Sequence, residues 1–176
     1  MKNFVLVSNQ EVKLYLADAE DRAVQIAVKN FCQDIEKICG AKVCVTTNRE
    51  QADILVETVR ENEKVKYQEL LDLEDQLRWE AYSIKVSDGK LYIAGADRRG
   101  TIYGIYELSN MWGVSPWYWF ADIPVKRKQS ICLPDGFSKV DYPSVQYRGI
   151  FINDEEELEA WAINYMKEET IGPKTY

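Results

Sequence analysis

Apolar residues recur along this chain at two periods, and the change from one to the other marks out its elements. Residues 3–16 alternate as two short strands, FVLVS and VKLYLA, about the turn Asn9-Gln10-Glu11. Asp18, with Asp21 three residues on, opens a helix in which Val24, Ala27, Val28, Phe31, Ile35 and Ile38 share one face, and Gly40 closes it. KVCVT (42–46) and DILVET (53–58) return to strand, the second with a continuous apolar centre suited to the interior of a sheet. Residues 59–79 are charged and weakly periodic and read as a surface excursion. YSIKVSDGKLYIAGA (82–96) gives two alternating strands joined at Asp88-Gly89, a dipeptide that tolerates the positive φ angles of a type I′ turn.

The stretch from 95 to 122 follows directly and organises the rest. Asp97 caps a helix, Gly100 and Gly104 lie one turn apart so that its backbone can approach a sheet, and Ile102, Ile105, Tyr106, Ser109 and Trp112 share a face. Gly113 ends it in the left-handed region, delivering Trp117, Tyr118 and Trp119 to an edge of the domain. Beyond Asp122, three prolines and one short apolar piece, Ser130–Leu133, predict an extended connector wrapping the domain. QYRGIFIN (146–153) then gives a strand, and Leu158, Trp161, Ala162 and Tyr165 a helical face. One β-α unit cannot bury both its strand and its stripe, so this tail reads as the first step of a second domain.

The predicted fold class is therefore α/β, a mixed sheet of about five strands with two long helices over residues 1–140, plus the first β-α unit of a second, truncated domain over 141–176. Charge narrows the partners. With 22 basic and 29 acidic residues the net charge is −7, which argues against a nucleic-acid surface or an anionic membrane patch. Histidine is absent, and with it Ser-His-Asp and Cys-His catalysis and the commonest zinc ligand sets. The four cysteines form no CxxC pair and read as buried thiols. Neither a run of ~18 apolar residues nor a signal-like apolar region is present, which leaves the compartment open: extracellular or periplasmic if a signal has been removed, otherwise cytoplasmic.

Three places could carry chemistry. The GADRRG turn offers helix N-terminal amides beside Arg98 and Arg99, a candidate site for a carboxylate or phosphate; its alternative is a helix start capped by Asp97, with the two arginines solvated or paired to acidic residues. It lacks the spacings of nucleotide-binding loops. Trp112, Trp117, Tyr118, Trp119 and Phe120 could stack on sugar faces or fill a domain interface. Asn153 and Asp154 follow a hydrophobic strand, where barrel enzymes keep hydrogen-bonding and acid/base groups, although charged residues also begin helices.

ADRRGTIYGIYELS, GVSPWYWFADIPV and VQYRGIFINDEE together resemble the N-terminal part of glycoside hydrolase family 115, the xylan α-1,2-glucuronidases. SPWYWFADIPV and YRGIFINDEE are the more specific motifs. The resemblance implies an α/β domain of the hexosaminidase-associated type, followed by a (β/α)8 catalytic barrel whose first strand is Tyr147–Ile152. It implies removal of glucuronic acid or its 4-O-methyl ether from glucuronoxylan by an inverting reaction without metal or organic cofactor. Asn153 and Asp154 match residues expected to line the uronic acid pocket, and Trp117 and Trp119 a tryptophan motif near the domain junction. The chain departs from the pattern in lacking histidine and in continuing its acidic run at Glu157 and Glu159.

Taken together, these readings imply a non-catalytic fragment whose intramolecular partner is the missing barrel and whose parent binds xylan-derived oligosaccharide. A free-standing carbohydrate- or protein-binding module on the Trp112–Phe120 run is the alternative. An unpaired apolar strand would also favour self-association through residues 146–176, and the aromatic run should be exposed.

Overall fold

A computed structural model describes residues 2–59, 79–149 and 151, with the side chains of Trp119 and Phe120 left out. Asn153, Asp154, the expected helix around Trp161 and the self-association segment beyond Phe151 lie outside the described residues, as do residues 60–78 of the charged stretch. The chain forms two compact units, Met1–Pro143 and Ser144–Tyr176.

The first unit contains strands β1 (Phe4–Val7), β2 (Glu11–Tyr15), β3 (Lys42–Thr46), β4 (Ile54–Thr58), β5 (Tyr82–Ser87), β6 (Lys90–Gly95), β7 (Ser130–Leu133) and β8 (Ser138–Asp141). Its helices are α1 (Arg22–Cys39), α2 (Arg98–Trp112) and the short α3 (Tyr118–Ala121). Six strands make one mixed sheet in the order β3-β2-β4-β6-β5-β8, and β1 pairs with β7 in a separate ribbon. β2 runs parallel to β3 and β4, and β4 to β6, while β5 is antiparallel to both β6 and β8. Parallel neighbours require crossovers, and α1 supplies the one between β2 and β3.

One face of this sheet carries the core. Val12, Leu14, Ile54, Val56, Ile84, Val86, Leu91 and Ile93 are buried together with Val24, Phe31, Ile35 and Ile38 of α1 and Ile105 and Leu108 of α2. Their spacing, two in the strands and three or four in the helices, is the pattern the sequence displays. The continuous run in β4 reflects its interior position: Leu55 and Glu57, which point to the opposite face, are buried too.

Several expectations need correction. β1 does not pair with β2; Asn9 turns the chain at φ 61°, and β1 crosses to the β7 ribbon, where Phe4 and Leu6 face the core beside Ile131 and Leu133. The helix starts at Asp21, not Asp18, because the Asp21 carboxylate accepts the Ala23 amide at 2.8 Å. The segment after Asp122 is more than a connector, since it supplies β7 and the edge strand β8, two short pieces whose pairing gives them the order their composition does not. Of the cysteines, Cys39 is buried and Cys32 half-buried, but Cys44 and Cys132 are exposed on strand faces turned from the core, and none is in a disulfide. Residues 146–149 and 151, the described part of the expected barrel strand, join no ladder among the described residues, and Tyr147 and Phe151 stand exposed. An extended segment becomes a strand only when a neighbour takes its hydrogen bonds.

Candidate functional site

The hairpin β5–β6 and the helix α2 place the chemistry of the domain. Asp88 and Gly89 take φ 52° and 76°, the positive angles of the predicted turn, and Val59 and Gly95 tie the end of β6 to β4. Asp97 then caps α2: its carboxylate accepts the Gly100 amide at 2.9 Å and the Glu80 amide at 2.7 Å. The helix start is thereby filled by the protein's own anion. Both neighbouring guanidiniums are engaged as well, Arg98 with Asp21 at 3.3 Å and Arg99 with Glu80 at 2.7 Å. The arrangement is that of a capped helix with paired arginines, the alternative the sequence leaves open for this turn.

The aromatic run divides at Gly113, which leaves the helix at φ 121°. Before it, Trp112 is 3% exposed and stacks on Phe31 of α1, with ring centroids 5.4 Å apart. After it, Val114 is buried, and Trp117, 63% exposed, begins α3. Tyr118 is half-buried under the Lys37 ammonium, which sits 4.6 Å from its ring centroid. Exposure of the run therefore holds for Trp117 and not for Trp112. The expected face of α2 also shifts: Tyr106 is exposed and Ile102 half-buried, whereas Leu108, absent from the expected stripe, is fully buried.

The exposed Tyr106 belongs to a second stripe. Tyr103, Tyr106, Glu107 and Asn110 recur at helical spacing and form one wall of a groove of about 360 Å³. Tyr82 of β5 and Asp141 of β8, paired across the sheet, form its floor, and Pro116, Tyr142 and Pro143 its end. Burial, the Glu107 charge and the Asp141 charge hold the Tyr82 phenol far above its ordinary range, so it stays protonated and donates to the Asp141 carboxylate. Glu107 is braced by Lys139 at 2.5 Å, and the Tyr106 hydroxyl accepts a bond from the Asn30 amide at 2.9 Å. The sequence reading passes over these residues as parts of strands, motifs and the connector and assigns none of them to a groove; Tyr106 enters it as a core position. The signal was present in the polar stripe at 103, 106, 107 and 110, overshadowed by the apolar stripe beside it.

A larger cleft of about 850 Å³ lies between α1 and the edge strand β3, lined by Val28, Cys32, Val43 and Val45 together with Asp18 and Lys29. Burial pushes the Cys32 thiol up to about 11, which keeps it protonated and unreactive near neutrality. Among the described residues no three Cys, Asp or Glu side chains gather as metal ligands, and no helix is long and apolar enough to cross a membrane.

Known proteins place this architecture. A solved structure described as a "novel family GH115 4-O-Methyl-alpha-glucuronidase, BtGH115A, with specificity for decorated arabinogalactans" is 35% identical, with a TM-score of 0.76 over 97% of this chain. This chain spans only 22% of that protein's length. The structure described as CpGH84D shares the fold at 11% identity, with a TM-score of 0.57 over 82% of this chain and 22% of its own. A comparison with curated proteins gives no match. The model of the family "Glycosyl hydrolase family 67 N-terminus" matches residues 6–108, from within the first strand into α2. That match covers more than half of the 176 residues, and the chain belongs to the glycosyl hydrolase family 67 N-terminus family.

Proposed function

We propose that this chain is the N-terminal, non-catalytic region of a family 115 glycoside hydrolase that releases glucuronic acid or its 4-O-methyl ether from polysaccharide side chains. The observation that carries this reading is 35% identity, sustained over 97% of the chain, to a 4-O-methyl-α-glucuronidase. The parent reaction is hydrolysis by a general acid and a base-activated water set across the glycosidic bond. Within the first unit both groove carboxylates are in structural service, Asp141 to Tyr82 and Glu107 to Lys139, which supports a supporting rather than a catalytic role.

The proposed division of labour puts Asn153 and Asp154 in the uronic acid pocket and Trp117 and Trp119 at the junction with a barrel. The exposure of Trp117 suits a ring awaiting a cover. It also suits a free-standing binding module, but with Trp112 in the core the platform would rest on fewer rings. The polymer is a decorated plant polysaccharide, with glucuronoxylan and arabinogalactan as the two candidates.

Release of uronic acid from both polymers tests the reading, using this chain and a form extended by its downstream coding sequence. Release is expected from the extended form alone, lost on Asp154→Asn. Turnover by the 176-residue chain itself, or none by the extended form on either polymer, would overturn it.

A further inference from the structure

We infer that the tyrosine groove between α2 and β8 is a subsite for a neutral sugar of a polysaccharide backbone, separate from any site of hydrolysis. It is a groove open to solvent whose volume, about 360 Å³, falls at the lower end of the ~300–1,000 Å³ that small-ligand sites occupy. The lining combines ring faces with hydrogen-bonding groups at their edges. Tyr106 and Tyr142 both line the groove and are 39% and 42% exposed, and aromatic rings of this kind take up the C–H faces of a pyranose. Asn110 presents an amide able both to donate and to accept, and the Asp141 carboxylate, exposed at the floor, accepts sugar hydroxyls.

Charge selects among sugars. The groove holds two carboxylates, and the Lys139 ammonium beside them is already bound to Glu107. A uronate would enter against an uncompensated Asp141, whereas a neutral xylose or galactose ring meets no such cost. Rigidity favours binding too. Tyr106 and Asn110 stand on α2 and Tyr82 and Asp141 on the paired strands β5 and β8, with Tyr142 directly after β8, and the Asn30 amide and the Asp141 carboxylate fix the hydroxyls of Tyr106 and Tyr82. The choice of sugars rests on the hydrolase reading above; binding at the groove is measured without turnover, so the two fail independently.

The test is titration of the 176-residue chain with xylohexaose, galactohexaose and a glucuronosyl-bearing xylo-oligosaccharide, followed by amide NMR shifts and calorimetry. A neutral oligosaccharide is expected to give saturable shifts centred on Tyr106, Asn110 and Tyr142, insensitive to salt, with the uronate-bearing ring excluded. Tyr106→Ala should weaken binding about two- to tenfold, the range a lost aromatic contact implies, while Tyr106→Phe retains it. Trp117→Ala should leave the affinity unchanged. No saturable response to either neutral sugar, as for a groove that seats a protein segment instead, would overturn the proposal. So would shifts confined to Trp117, or an affinity indifferent to Tyr106→Ala in a variant whose spectrum remains folded.

Discussion

The carbonyl oxygen of Ala81 lies 2.1 Å from the point where a Cβ on Gly100 would stand. The first turn of α2 therefore rests directly on the backbone entering β5. One turn on, a Cβ at Gly104 would meet Ile93 at 3.0 Å, so the helix lies against the sheet along its own backbone. Gly100→Ala cannot be absorbed by a side-chain rotation, since the obstacle is main chain. A loss of about 1–3 kcal/mol is expected from chemical denaturation, larger than for Gly104→Ala, whose neighbour is a movable methyl.

Arg98 and Arg99 differ in what their removal uncovers. The Asp21 side chain is 35% exposed and keeps its water, whereas that of Glu80 is 9% exposed. Arg98→Ala should leave the unfolding curve almost unmoved, while Arg99→Ala should cost about 1–3 kcal/mol, because it takes a charged partner from the buried Glu80 carboxylate. Equal costs in paired denaturation curves would refute this account of the turn.

Trp112 donates no hydrogen bond from its buried Nε1 among the described residues, although its ring stacks on Phe31. Its contribution is thus packing against α1. Trp112→Ala should cost about 3–5 kcal/mol, and Trp112→Phe far less, since it keeps a stacked ring and removes the unpaired donor. Thermal melts of the two variants decide between a packing and a polar role.

Asp34 sits buried on the α1 face that meets α2, and burial raises its carboxyl above the usual range, offset in part by the Ser109 hydroxyl and the Lys37 ammonium. The folded state then holds the proton more tightly than the unfolded chain. Its contribution to stability is fully present below the unfolded value of 3.8 and is lost as pH rises through the raised folded value. Asp34→Asn should flatten this acid-side dependence and raise the melting temperature at neutral pH. A dependence unchanged by the substitution would assign it to another group.

What the sequence made legible follows from how local each determinant is. The hairpin at Asp88-Gly89, the Asp97 cap and the α1 face around Phe31 are set by residues within a turn or two of one another, and each stands where the pattern puts it. The start of α1 was misplaced because Asp18 and Asp21 are both competent cap residues by type, and only the folded chain shows the Asp21 carboxylate taking the Ala23 amide. β7 and β8 were hidden because a short edge strand owes its existence to its partner: Ile131 and Leu133 carry too few apolar positions to declare a strand without Phe4 and Leu6 beside them. The groove was hidden for a related reason. Tyr82 and Asp141 become neighbours only through the β5–β8 pairing, which brings together residues from distant parts of the chain.

The β1–β7 ribbon joins Phe4 to Leu133, residues near the two ends of the first unit. During synthesis the opening strand must therefore wait, since the surface that buries Phe4 and Leu6 is complete only when the segment after α3 has emerged. Closing so long a loop adds little to the equilibrium cost but delays the last contacts. The unit therefore closes last at the strand that was made first.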